Sequence, residues 1–156
     1  MPLSLAVTGK YDFICHNGAG YDNIDIPCCD RRSILVSNCP QVGEDASADT
    51  AMFLILAALR GFNNGLLAIR NGTWKGAVPP PPLGRDPQGK VLGVLGMGGI
   101  GKNIKKKAEC SGMTVLYHNR SKLSESEANG AEYVSFDELL RRSNVLSLKP
   151  PLNVGL

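Results

Sequence analysis

The sequence predicts an α/β protein built on a parallel sheet, and three observations carry that expectation. From Lys90 onward strand-like runs alternate with helix-like ones: "KVLGVLG", "IGKNIKKKAECS", "MTVLYHN", "AEYVS", "FDELLRRS" and "NVLSLK". Such alternation argues for parallel strands joined by right-handed crossovers. The first strand runs directly into a glycine turn, Gly96-x-Gly98-x-x-Gly101. Four successive prolines, Pro79–Pro82, set this half apart from what precedes it, because they exclude both helix and central strand.

Taken in order, "YDFICHNGAGYD" reads as a short strand entering a glycine turn. "NIDIPCCDRR" reads as a short helix with Pro27 near its start, where a missing N–H does least harm. "SILVSNCP" is a compact apolar run with polar flanks and predicts a buried strand. Glu44 to Arg60 predicts a helix, acidic in its first turn and then apolar on nearly every side. A helix of that kind is expected to lie buried between two layers. "FNNGLLAIRNGTW" extends it as a second helical stretch, and "KGAVPPPPLGRDPQGK" is a stiff surface connection. Ser124 with Glu127, and Ser135 with Glu138, have the spacing of capping boxes.

Composition narrows the function classes. A chain of 156 residues is one domain by length, or two incomplete ones. With 43% hydrophobic and 20% charged residues and a net charge of +3, it has no electrostatic footprint for nucleic acid. "GKNIKKKAE" holds four lysines, but Ile104 and Ala108 keep helical spacing through them, which predicts a solvated helix face. The five cysteines show no Cys-x-x-Cys spacing and read as free thiols of a reducing compartment. No metal-ligand cluster is expected. The first residues lack the basic and apolar regions of a signal peptide. The longest apolar run, "AMFLILAAL", is about half of a membrane span. The expected setting is cytoplasmic, with no membrane partner.

The glycine turn carries the chemistry. It follows a predicted strand and opens a predicted helix, the context a dinucleotide fingerprint requires. Gly96 permits the tight turn, Gly98 lets the backbone approach a pyrophosphate, and Gly101 lets the helix lie close on the strand. The helix N-terminus adds unpaired N–H groups and a positive dipole end. This predicts a Rossmann-type sheet. An NAD site usually carries an acid roughly twenty residues further on, at the end of the second strand. Here "HNRS" occupies that place, and no acid appears until Glu125. Arg120 can fork onto a 2′-phosphate and Ser121 can add a hydroxyl donor. NADP(H) is therefore the preferred cofactor, with NAD(H) possible.

"NGAGYDNID", "ILVSNCP", "DASADTAMFLILAALR", "NGTW" and "GKVLGVLGMGGIGKNIKKKAECSGMTVLYHNRSK" follow one another in a recognisable order. From Tyr11 to about Asn153 the chain resembles the D-isomer-specific 2-hydroxyacid dehydrogenases, most closely their fungal glyoxylate/hydroxypyruvate reductase branch. The resemblance implies a partial Rossmann-type NAD(P)-binding domain preceded by part of a flavodoxin-like substrate domain. On that basis residues 1–74 are part of the substrate domain plus an interdomain helix, 75–90 a Pro-rich linker, and 91–156 the first half of the dinucleotide domain. It also implies that Ala19 and Gly20 hold the substrate carboxylate through backbone N–H groups. Ser47 falls near the nicotinamide end of the cofactor. Gly96, Met97, Gly98, Gly99, Ile100 and Gly101 match the pyrophosphate turn, and Asn119, Arg120 and Ser121 the adenosine ribose site. Pro151 matches a loop passing over the cofactor. Asp22 and Asp25 belong to the turn motif, with helix capping as their simplest role.

Two departures accompany these matches. Lys149 and Pro150 interrupt the strand end before Pro151, and Pro150 removes a backbone donor, so that strand is expected to stop early. The family's catalytic arginine, glutamate and histidine map to no residue up to Leu156, and the substrate domain's first strands are likewise unmatched. Neither His16 nor His118 takes the catalytic position. The expectation is an internal piece of an enzyme that reduces a small 2-oxo acid and self-associates or dimerises. The competing expectations are a non-catalytic dinucleotide-binding or interaction module, and the product of a truncated gene.

Overall fold

The computed structural model describes residues 10–75 and 82–150. It divides into two compact units at Glu44/Asp45. In chain order the elements are β1 (Phe13–Cys15), α1 (Ile26–Arg31), β2 (Leu35–Ser37), α2 (Glu44–Arg60), α3 (Phe62–Arg70), β3 (Val91–Leu95), α4 (Gly99–Cys110), β4 (Thr114–His118), α5 (Glu125–Ala128), β5 (Glu132–Tyr133), α6 (Phe136–Arg142) and β6 (Val145–Leu148).

In the first unit β1 and β2 pair in parallel, Phe13 opposite Leu35, with α1 between them in sequence. The Asp25 carboxylate accepts the Cys28 N–H at 2.9 Å and caps α1, whose first turn holds Pro27. Asp25 is that cap, and Asp22 is not. The apolar run around β2 does not make a buried strand: Ile34 is buried, but Leu35 is 68% exposed. Among the described residues β2 has one strand neighbour, β1. A ribbon of two three-residue strands has too little surface to bury both faces of either.

The second unit is built on a four-stranded parallel sheet in the order β5-β4-β3-β6. β3 is interior, pairing Leu95 with His118 on one side and with Leu148 on the other. Alternation along the strands feeds two cores. Leu92, Val94, Val115 and Tyr117 pack with residues of α2 and α4, including Ala48, Met52 and Ile104. Val91, Leu95 and Leu116 face the other way, with Val134 and Leu139. The helix-spaced Ile104 and Ala108 are both fully buried.

The apolar composition of α2 misleads in one respect. Its buried residues Ala48, Ala51, Met52 and Ile55 form a single stripe, while Phe53 and Leu54 are 62% and 59% exposed. The helix is covered on one face within this unit, not sandwiched between two layers. Its apolar surface continues onto α3, where Phe62, Leu66, Ile69 and the following Trp74 are exposed. The two helices meet at Gly61, in the left-handed region at φ 63°, with a bend of 76°. Among the described residues no single helix is long and apolar enough to cross a membrane.

The lysines of α4 are likewise not one solvated face. Lys105 is 3% exposed, and its Nζ reaches the Glu109 carboxylate at 2.7 Å. Its long stem packs inward while its head finds a partner near the surface. Lys107 bonds Asp49 at 2.7 Å and lies 3.9 Å from Asp45, tying α4 to α2. Its ammonium is held above the usual lysine range, chiefly by the Asp49 hydrogen bond. Of the two predicted capping boxes, that of Ser124 and Glu127 is complete. At α6 Ser135 accepts the Glu138 N–H, but the Glu138 carboxylate turns to Arg141 instead.

Candidate functional site

The glycine turn lies at the carboxyl end of β3, where the strand order reverses: β4 lies to one side and β6 to the other. Open α/β sheets bind ligands in the crevice at such a point. Gly96 has φ 98°, and a Cβ there would stand 2.8 Å from the Lys149 carbonyl carbon and 2.9 Å from the Pro150 nitrogen. Its N–H donates to the His118 carbonyl at 3.0 Å, and the Lys149 N–H donates to the Leu95 carbonyl at 2.8 Å. A Cβ on Gly101 would stand 2.5 Å from the Gly96 carbonyl oxygen. The fold itself therefore demands glycine at 96 and 101.

Gly98 is different. Its φ is −83°, and a Cβ there would meet nothing within 4 Å. No contact among the described residues requires its lack of a side chain. The open space fits the close approach of a phosphate to the backbone. Gly98 is also the N-cap of α4, and no side chain caps that helix. The first helical backbone bond runs from the Lys102 N–H to the Gly98 carbonyl at 2.9 Å. The N–H groups of Gly99, Ile100 and Gly101 precede that bond and have no partner among the described residues, at the positive end of a 12-residue helix.

Met97 does not join these donors. Its N–H donates to Asn119 Oδ1 at 2.7 Å, and its side chain is 1% exposed in the main core. Ile100 packs against the same core. Past β4, Asn119 is half-buried, while Arg120 and Ser121 are exposed without a partner among the described residues. The loop is fixed at both ends by tyrosine hydroxyls. Tyr133 donates to the Asn119 carbonyl at 3.3 Å, and Tyr117 accepts the Leu123 N–H at 3.1 Å. His118 Nδ1 lies 2.9 Å from the Val134 carbonyl, which can only accept, so Nδ1 carries the proton. Its ring stacks on Tyr133 with centroids 5.6 Å apart, a packing role. Glu127 follows at α5, held below the usual carboxylate range by the Ser124 hydroxyl first, then the Ser124 N–H and Lys102.

The structure thus brings the glycine turn and Asn119 together, and Arg120 and Ser121 follow Asn119 in sequence, exposed. Ser47 is half-buried on α2, next to Ala48, which packs in the same core as Met97. Pro151 lies outside the described residues. β6 ends at Leu148, as the Lys149-Pro150 pair predicts. In the first unit, Ala19 and Gly20 form an exposed turn. Asn38 Nδ2 donates to the Ala19 carbonyl at 2.8 Å, and the Cys39 N–H donates to the Gly18 carbonyl at 3.1 Å. The amides of Ala19 and Gly20 have no partner among the described residues, so they are available to an anion. No metal cluster occurs among the described residues. Sequence reasoning missed the Met97–Asn119 bond and both tyrosine hydroxyls. The tyrosines were findable, because a tyrosine buried in a strand must place its hydroxyl somewhere polar.

Residues 52–154 match the family model for the D-isomer specific 2-hydroxyacid dehydrogenase, NAD binding domain. The chain belongs to this family. It is 53% identical over 152 residues to 4-methyl-2-oxopentanoate reductase A of Aspergillus oryzae, covering 97% of this chain and 45% of that protein. It is 43% identical over 154 residues to glyoxylate reductase 1 of Saccharomyces cerevisiae, covering 97% of this chain and 44% of that protein. The crystal structure of a glyoxylate reductase from Paecilomyes thermophila superposes with a TM-score of 0.82 at 49% identity, covering 92% of this chain and 43% of that one. The chain thus spans less than half the length of these dehydrogenases and reductases.

The two kinds of glycine should separate experimentally. Gly96→Ala is expected to destabilise the fold by about 1–3 kcal/mol, through backbone strain and the clash with Lys149. Gly98→Ala is expected to change stability by less than about 0.5 kcal/mol yet weaken dinucleotide binding about tenfold or more. Denaturant unfolding and fluorescence titration read the two effects separately.

Proposed function

We propose that this chain is the nucleotide-binding part of an NADP(H)-dependent 2-hydroxyacid dehydrogenase that reduces a small 2-oxo acid of the glyoxylate or hydroxypyruvate class. One observation carries the cofactor preference: the end of β4 offers Asn119, Arg120 and Ser121, and no acid. Bound NADPH would supply a hydride to the carbonyl carbon, and the carbonyl oxygen would take up a proton. The uncapped N–H groups at Gly99–Gly101 would hold the pyrophosphate, and Arg120 and Ser121 the 2′-phosphate. Ser47 would lie toward the nicotinamide. Ala19 and Gly20 would offer backbone N–H groups to the substrate carboxylate. The names of the relatives support the substrate class, since glyoxylate and 4-methyl-2-oxopentanoate are both 2-oxo acids. All five cysteines are free, which supports a reducing, cytoplasmic setting.

Fluorescence titration should show tighter binding of NADPH than NADH. Arg120→Ala should reduce that preference about tenfold, because a charge-assisted bond to the 2′-phosphate is lost. Equal affinities in the unaltered chain would refute the cofactor preference.

The exposed apolar surface of α2 and α3 favours self-association as part of the same reading. Phe53, Leu54, Phe62, Leu66, Ile69 and Trp74 are each at least 47% exposed, an apolar surface that calls for a cover. Analytical ultracentrifugation should find dimers or larger species, shifted toward monomer by Phe53→Ser with Leu54→Ser. A concentration-independent monomer would refute it.

The 156-residue chain alone is expected not to oxidise NADPH in the presence of glyoxylate or hydroxypyruvate. The reaction needs a cation to polarise the carbonyl and a general acid to protonate its oxygen. Proton transfer of this kind contributes about 10²–10⁴-fold. No histidine or arginine of the chain matches either role by resemblance. Mixing with the C-terminal part of a full-length relative should restore turnover if the binding half is sound.

A further inference from the structure

Asn119 touches both ends of the candidate cofactor site. Its Oδ1 accepts the Met97 N–H at 2.7 Å, across 22 residues, and Met97 lies between Gly96 and Gly98. A backbone N–H is only a donor, so this bond settles which end of the Asn119 amide faces the turn. The oxygen is turned to Met97, and in a planar amide the nitrogen then lies on the other side of Cγ. The Nδ2 group has no partner among the described residues and remains as a donor. The Asn119 carbonyl accepts from the Tyr133 hydroxyl, which holds the backbone that carries the amide.

We infer that Asn119 is a positioning and specificity residue: one amide that anchors the pyrophosphate turn through Met97 and presents only a donor to the ribose end. This rests on the NADP(H) reading above and adds a mechanism to it. A 2′-hydroxyl both donates and accepts, whereas an ionised 2′-phosphate accepts. Asn119 with its oxygen turned to Met97 presents its N–H₂ side and is matched to the second. Aspartate at this position is nearly isosteric. One of its carboxylate oxygens can still take the Met97 N–H, while the other accepts from a ribose hydroxyl and repels a phosphate. Alanine removes both functions. The two roles of Asn119 therefore come apart in two single variants.

The test is fluorescence titration of the full chain, Asn119→Asp and Asn119→Ala with NADPH and NADH, together with hydrogen exchange at the Met97 amide. In Asn119→Asp the Met97 amide should stay protected, and NADH should bind at least as tightly as to the unaltered chain. The NADPH-to-NADH preference should fall by about tenfold or more, the scale of one charged hydrogen bond lost. In Asn119→Ala the Met97 amide should exchange faster, and both nucleotides should bind about fivefold or more weakly. An unchanged preference in Asn119→Asp would overturn the donor role. Unchanged NADH affinity in Asn119→Ala would overturn the anchoring role. Should Asn119→Ala fail to fold, Asn119→Ser, too short to reach Met97, takes its place with the same two outcomes. If the unaltered chain itself shows no NADPH preference, the cofactor reading fails; loss of binding to both nucleotides in Asn119→Ala would still uphold the anchoring role.

Discussion

Everything at the site depends on how closely three stretches of backbone approach one another at the carboxyl edge of the sheet. Gly96 follows the end of β3, the Lys149–Pro150 peptide follows β6, and the start of α4 crosses above, with Gly101 over the Gly96 carbonyl. No side chain can be inserted at either glycine without pushing backbone against backbone, which cannot yield as a flexible side chain could. That contact sets where α4 begins, and hence where its uncapped N–H groups lie. It also places β6 beside β3 at the level where the strand order reverses. A binding crevice is a consequence of this packing. The fold would have to be tight here even with no ligand to bind.

Gly98 shows how packing and binding can be told apart within one motif. Three glycines at fixed spacing look equivalent in the sequence. In the structure two are enclosed by protein, and the third faces open space at an ordinary φ. A glycine that costs backbone entropy and gains no packing is most simply explained by something that comes and goes. The same division runs through Asn119 to Ser121. Asn119 is tied into the fold by its side-chain oxygen and its carbonyl, while Arg120 and Ser121 are left outside.

Much of this was legible in the sequence because it depends on local spacing. The parallel α/β alternation, the strand-to-helix context of the glycine turn, the cap at Ser124 and the stop after Leu148 follow from residues within a few positions of each other. Three expectations failed because they depended on distant partners. The run 51–59 is apolar all round, but only packing against β3 and α4 decides which stripe is covered, and Phe53 and Leu54 fall outside it. Lysine at 105 reads as solvated, yet the folded unit leaves it 3% exposed, its head on Glu109. The run at Ile34–Ser37 reads as buried until the strand is found in a two-stranded ribbon. The Met97–Asn119 bond belongs with these. Nothing near either residue announces it.

That bond changes what the missing acid means. Read from sequence alone, Asn119 is an absence: the carboxylate that would bind two ribose hydroxyls is gone, and Arg120 stands next in line to do something else. In the structure Asn119 is a presence with a defined orientation. Because the Met97 N–H must have an acceptor, the amide cannot turn its oxygen outward without leaving a buried donor unpaired, at a cost of about 1–3 kcal/mol. The fold thus turns the side-chain acceptor at this position inward. What remains to face a ligand is the amide N–H₂ of Asn119, the guanidinium of Arg120 and the hydroxyl of Ser121, and the first two can only donate. A group with three acceptor oxygens suits that set better than a diol, whose hydroxyl protons would look for acceptors beyond the Ser121 hydroxyl. On the NADP(H) reading proposed above, specificity at this end would be governed by a hydrogen bond that never touches the ligand.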